Sequence, residues 1–372
     1  MDSETLRMDK LKHLSIGLSL FLFVGTAGTT CIIHEDLLKS QNIYLSNNNW
    51  VYDLQRSDIV ADGTRIFLLC FNGIHPSGFL CRNNVFDPPL ESVSCSRALK
   101  ASFVNVPDTS CPTGSLTYAV GYSYNGRLLE LFRNCYDHGR LSLDYSIYKT
   151  YRYTKSATRP TSPYWYRDLM MTTQEVLAYK RQVSQACVTT ALGGSQPDCV
   201  FDRGHVTPSS AFIFSEFKRA TYRYLNVVPQ YNLVNIGNWE NIEAWVTRLV
   251  MGHYDLPYRA YDVLKVCTGV LGVHNLPHSN NQIAGLISIY LYKNNKIPVP
   301  KWMYKIVSHL SGDKWVFLTY NDVNLPSLLD LNQICNQVAC PNGLNRSGVG
   351  YTVCCEPFGF IQNNIDYLTG VC

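Results

Sequence analysis

The feature that most constrains this chain of 372 residues is its set of fourteen cysteines, all of which follow a segment that reads as an export signal. Arg7, Lys10, Lys12 and His13 precede the apolar run Leu14 to Val24, and the small residues Gly25 and Ala27 come next. That layout predicts a secretory leader over residues 1–27, removed on export. The apolar run is about a dozen residues long, whereas a membrane span needs roughly twenty, so no stable membrane association is expected. On an exported chain an even cysteine count reads as a disulfide framework and not as thiol chemistry. No C-x-x-C pair occurs and no His/Cys cluster has zinc-finger spacing, which argues against a structural zinc site. The sequon Asn345-Arg346-Ser347 fits the same secretory route and predicts a glycoprotein.

The net charge is +4 and charged residues make up only 16% of the chain, far from the basic block of a protein that coats nucleic acid. Any site for a polyanion must therefore be a local groove. Texture changes near residue 140. Before it, Arg65-Ile66-Phe67-Leu68-Leu69 and Leu116-Thr117-Tyr118-Ala119-Val120 are short apolar runs among Gly, Pro and Asn, which predicts a β-rich unit over residues 28–140 holding six cysteines. After it, a Tyr-rich stretch, a Pro-rich link at Pro160 and Pro163, and alternating helix-like and strand-like segments predict a second unit over residues 141–372. The fold class expected is α+β, with a mixed or antiparallel sheet.

The chemistry concentrates in Asp202-Arg203-Gly204-His205, followed by Asn226-Val227-Val228-Pro229-Gln230 and then Asn235-Ile236-Gly237-Asn238-Trp239 with Glu243 beyond. Alone, D-R-G-H is compatible with a turn carrying a structural histidine. The downstream blocks change that reading. Trp239, Ile242, Val246, Leu249 and Val250 recur at helical spacing, so Asn235 stands at a helix start. Glu243 lies eight residues on, roughly 12 Å along a straight axis, too far to share one inner coordination shell easily. Its side chain leans toward the N-terminus and could reach a metal-bound water. Asn235 is thus the direct-ligand candidate and Glu243 a helper. Magnesium suits such sparse ligation, because it keeps several waters beside one or two protein oxygens. An imidazole such as His205 can take the proton of an attacking water, and the planar fork of Arg203 suits a phosphate oxygen.

These blocks resemble the DNA/RNA non-specific endonucleases of the ββα-metal superfamily, whose signature is D-R-G-H, then N-x-x-P-Q, then N-x-G-x-W-x-x-x-E. Val266-Cys267-Thr268-Gly269-Val270-Leu271 is similar to the family's T-G-P-L strand, with Val270 in place of proline. Ile297-Pro298 through Trp302 and Lys305 is similar to the block that follows, so the likeness spans about residues 140 to 336. The Cys-rich tail and the front unit look similar to the secreted arthropod branch.

The resemblance implies a secreted, sugar-non-specific endonuclease that leaves 5′-phosphate ends on DNA or RNA. It implies His205 as general base, Asn235 as magnesium ligand (manganese a possible substitute), Glu243 as helper on the hydrated metal, and Arg203 and Asn226 as supports for phosphate and site. Two departures stand out: Thr247 occupies the place of a frequent family arginine, with Arg248 one residue off, and an upstream phosphate-binding arginine has no clear counterpart, Arg181 ranking before Arg167. The alternative function is an extracellular nucleic-acid-binding protein that has lost catalysis on the same scaffold. No obligate protein partner is indicated. His253, His274, His278 and His309 are expected to be structural or surface residues. Cys187 and Cys199, twelve residues apart, are expected to pair and hold the loop before Asp202.

Overall fold

The computed structural model describes residues 29–49, 51–182, 201–252, 261–277, 285–341, 343–344 and 349–372. The leader, the Cys187–Cys199 pair, the sequon, His253 and His278 lie outside these, as does the side chain of Arg181.

The architecture is α+β, and its strand pairs are antiparallel. In chain order the body contains β1 (Ser102–Val106), β2 (Leu116–Tyr124), β3 (Arg127–Asp137), β4 (Ser142–Tyr151), helix α1 (Thr173–Gln182), β5 (Phe201–His205), β6 (Val227–Tyr231), helix α2 (Glu240–Met251), β7 (Val263–Val273), β8 (Pro300–Ser308), β9 (Lys314–Tyr320), β10 (Gln337–Val338) and β11 (Tyr351–Cys355). Nine of these strands form one sheet in the order β10-β11-β9-β8-β7-β4-β3-β2-β1, while β5 and β6 pair separately on one side of it. Alternation along β4 explains the layering. Ser146 and Thr150 face β5 and the loop after it, bonding Thr207 Oγ1 and the Ala211 carbonyl, whereas Lys149 and Tyr151 line a cavity on the opposite face.

The sheet corrects the expected division at residue 140. That position falls in the turn between β3 and β4, which pair from Phe132↔Tyr148 to Asp137↔Ser142. Strands β1 to β3 therefore belong to the same sheet as β7 to β11. Polarity texture cannot show this, because a hairpin turn and a linker have the same composition. What precedes β1 is a six-stranded sheet spanning residues 43–87, stapled by Cys31–Cys81 and Cys70–Cys95. It shares a core with the body: Tyr44 meets Phe214 at 6.2 Å and Tyr52 meets Tyr124 at 5.5 Å between ring centroids. Buried Asp58 accepts the backbone N–H groups of Thr154 and Lys155 at 2.9 and 2.8 Å.

The other bridges are Cys111–Cys135, Cys267–Cys372, Cys335–Cys355 and Cys340–Cys354. The last two fasten the C-terminal tail at β11, and Val349 and Gly350, just before that strand, contact the helix start at Asn238. No described helix is long and apolar enough to cross a membrane.

Candidate active site

Strand β5 runs in register against β6, with Asp202 opposite Gln230 and His205 opposite Val227. The close pairing needs Gly204, because a Cβ there would lie 2.0 Å from Gln230 Oε1. The glycine of the first sequence block and the glutamine of the second are thus two halves of one contact. Beyond β6, a helical turn (Asn232–Val234) leads into a wide turn over Asn235–Trp239, kinked at Gly237 with φ −104° and ψ −116°, before α2 begins. The tail fills the kink. Asn238 donates its backbone N–H to the Val349 carbonyl at 3.1 Å and its side-chain N–H to the Gly350 carbonyl at 2.9 Å. A Cβ on Gly237 would come within 2.6 Å of that same Val349 carbonyl.

This kink departs from the straight helix assumed in measuring Asn235 to Glu243. His205, Asn235, Glu240, Glu243 and Thr247 all line one cavity of about 330 Å³, together with Arg159 and Lys218. Asn235 donates its amide N–H to Asp202 Oδ2 at 3.0 Å, and Asn232 donates to the same oxygen at 2.9 Å. With its nitrogen so engaged, the Asn235 carbonyl oxygen is the atom left for a ligand.

His205 ends β5 among rings: Trp165 at 5.2 Å and Tyr222 at 4.8 Å between centroids. Its Nε2 is buried with no hydrogen-bond partner among the described residues. Burial in this wall pushes its pKa down to about 3, with further lowering by the Arg159 and Arg203 guanidiniums. The imidazole is therefore neutral at physiological pH.

Behind Glu243 lies the fully buried Lys305, which donates to Thr268 Oγ1 at 3.0 Å and Tyr148 Oη at 3.3 Å. Burial raises the pKa of Glu243 and the Lys305 charge opposes that rise, while burial lowers Lys305. Thr268 and Lys305, parts of the two later sequence blocks, meet here as supports for the glutamate's surroundings.

Other expected roles change. Asn226 is fully buried and spends its amide on the backbone: it accepts from Thr207 N at 3.0 Å and donates to the Thr207 and Thr221 carbonyls at 2.9 and 3.0 Å. It cannot touch phosphate and instead clamps the chain just after His205. Arg203 projects to the same face as His205, but it lies over the Trp165 ring at 4.2 Å and lines a neighbouring cavity with Arg167. The arginine beside His205 is Arg159, held by its Nε–H to Tyr222 Oη at 3.1 Å. Sequence spacing missed it, since it sits in the Pro-rich link with no fixed offset from the blocks. Lys218 was missed too; it is buried, donates to the Ser209 carbonyl at 3.3 Å, and its pKa falls to about 8 through burial and then Arg159. Thr247 lines the cavity and Arg248 does not. His274 is buried against Asp322 at 2.9 Å and His309 pairs with Asp262 at 2.9 Å, so both serve structure.

The donors facing the cavity are an amide oxygen and carboxylates, a hard-oxygen set suited to magnesium or calcium and unsuited to soft metals. Among the described residues no group of three or more His, Cys, Asp or Glu side chains is placed to form a metal cage.

Comparisons with known proteins complete the picture. The chain is 25% identical over 306 residues to a salivary endonuclease of Lutzomyia longipalpis, covering 76% of this chain and 68% of that one. It is 25% identical over 342 residues to salivary protein Tsal2A of Glossina morsitans morsitans, covering 84% and 83%. A solved EndoG/EndoGI complex is similar over 53% of this chain and 74% of its own, at 18% identity and a TM-score of 0.37. The sequence profile of the DNA/RNA non-specific endonucleases matches residues 114–358, a longer stretch than the 140 to 336 read from the blocks, and the chain belongs to that family.

Proposed function

We propose that this nuclease is an exported, metal-dependent endonuclease that hydrolyses phosphodiester bonds of DNA and RNA and leaves 5′-phosphate ends. The observation that carries the reading is the convergence of His205, Asn235, Glu243 and Arg159 on one cavity, with His205 held neutral and its Nε2 unpartnered.

Asn235 is the residue that would hold a divalent cation directly, with Glu243 on its hydration. Magnesium, or manganese in its place, would supply Lewis-acid stabilisation of the charge that develops on the phosphodiester and its leaving 3′ oxygen. His205, which lines the cavity, accepts the proton of the attacking water on its neutral imidazole. An imidazole with so low a pKa is a weak base in the free protein, but an arriving phosphate offsets the guanidinium charges that help depress it and so raises its basicity. Arg159 is placed to bind a non-bridging phosphate oxygen, as a rigid fork held by Tyr222. Backbone contacts of this kind carry no base sequence, which suits a non-specific enzyme.

Export is supported by the leader-like start, by the disulfides and by the salivary relatives. The test is digestion of matched plasmid, duplex and RNA substrates by the parental protein and by His205→Ala, with and without chelator, followed by end-group analysis. Cleavage that persists in chelator, or 3′-phosphate ends, would sink the mechanism.

A further inference from the structure

Beside Trp165, whose ring lies 5.2 Å from that of His205, is a second cavity of about 430 Å³, lined by Tyr164, Trp165, Arg167, Lys180, Arg203 and the α1 residue Thr173 among others. Its volume falls in the range of roughly 300–1,000 Å³ usual for ligand clefts. Its lining carries three cationic side chains and no carboxylate. None of the three makes an ion pair among the described residues; Arg167 donates only to Thr173 Oγ1, at 2.9 Å, and Arg203 lies on the Trp165 face. Other clustered charges are mutually compensated, as Arg133 is by Glu130 and Arg140 by Asp137 and Asp144. Unneutralised cations converging on a concavity attract a polyanion.

The second component is aromatic. The Tyr164 ring is 70% exposed at the mouth of this cavity. Its segment is braced for presentation: Tyr166 N donates to the Tyr222 carbonyl at 2.9 Å, Tyr224 N donates back to the Tyr166 carbonyl at 3.0 Å, and Asp168 pairs with buried Arg223. A ring so exposed on a pinned segment supplies little packing energy to the fold, but it offers a stacking face with little entropy to lose.

Resting on the nuclease reading, we infer that this cavity is a subsite for a nucleotide of an unpaired strand flanking the cleaved bond, with Arg167, Lys180 and Arg203 on phosphate and Tyr164 on the base. Trp165 links the two cavities: it lines this one beneath the Arg203 guanidinium, and its ring lies 5.2 Å from that of His205, which lines the other. A strand crossing it passes from subsite to cleavage site without leaving the surface. A base held in a duplex cannot turn its face to Tyr164, so the subsite selects unpaired or frayed strands.

The experiment measures binding of a fluorescent short unpaired oligonucleotide, and of its duplex, in chelator so that cleavage does not intervene. Parental protein, Tyr164→Ala and the double variant Arg167→Ala with Lys180→Ala are compared across a salt series, all substituted positions being on the surface. Tyr164→Ala should weaken unpaired-strand binding about tenfold and leave the salt slope unchanged. The double variant should lower that slope by about 1.4, or about 0.7 per lost phosphate contact. Duplex binding should change less than threefold with Tyr164→Ala. Equal losses for strand and duplex, or no loss for either, overturn the subsite. The nuclease reading is tested separately, by whether the parental protein cleaves plasmid or RNA when magnesium is restored; binding differences that hold without cleavage would leave the subsite standing and remove the enzyme.

Discussion

Asp202 Oδ2 accepts the side-chain N–H of Asn235 at 3.0 Å, so a carboxylate one strand away fixes which end of the amide faces the cavity. A freely rotating asparagine would present nitrogen as readily as oxygen, and nitrogen of an amide does not bind magnesium. Asp202→Ala should therefore raise the magnesium concentration for half-maximal activity about tenfold, in line with the cost of a hydrogen bond to a charged group. Activity at saturating magnesium should fall much less. A metal titration of the two proteins checks this, and an unchanged midpoint would remove Asp202 from metal binding.

His205→Ala should lower turnover by at least about 10²-fold with the fold intact. Acid stability gives a second handle on the same residue. Because the folded pKa of about 3 lies below the unfolded value, the unfolded chain takes up this proton first as pH falls. The parental protein should thus lose stability between about pH 6.5 and pH 3 from this group, and His205→Gln should lose less over the same window. Urea unfolding at several pH values reads the difference; parallel curves would count against the buried neutral histidine.

Lys305 opposes the burial that raises the Glu243 pKa. Removing it in Lys305→Met should raise that pKa further, so ionised Glu243 would be reached only at higher pH. The acid limb of the pH–rate profile should move upward, and Glu243→Gln in the same background should abolish the displacement. A limb that stays in place would mean that Glu243 does not act as its ionised form.

Gly237→Ala should destabilise the protein by about 1–3 kcal/mol, because the new methyl must displace the Val349 backbone and not a flexible side-chain end. The same change should weaken metal binding and raise the magnesium midpoint, since the kink sets where Asn235 stands. Denaturant melts and a magnesium titration together test it; loss of stability with an unchanged metal midpoint would confine the kink to a structural role.

A fragment of residues 141–372 would lack β1 to β3 and so expose the β4 edge of the nine-stranded sheet. It should be insoluble or fail to give a cooperative melt, whereas a fragment keeping residues 101–372 should retain the whole sheet. Soluble, cooperatively folded 141–372 protein would restore the division at residue 140.

The sequence by itself determined the disulfide-rich character of the chain and the residues that meet at the cavity, His205, Asn235 and Glu243. These were legible because they stand in short blocks whose local spacing is tied to a strand pair and a helix start, and local geometry follows from local sequence. Even Gly204 and Gln230 were named in those blocks, although only the register of β5 against β6 shows why they belong together. The tertiary structure decided everything that depends on the direction of a side chain or on distant segments. It brought Arg159 from the Pro-rich link to His205, turned Arg203 across Trp165, buried the amide of Asn226 in the backbone and gave Asp202 its hold on Asn235. It also carried one sheet through residue 140, because strand pairing is a long-range contact that composition on either side of a turn does not record.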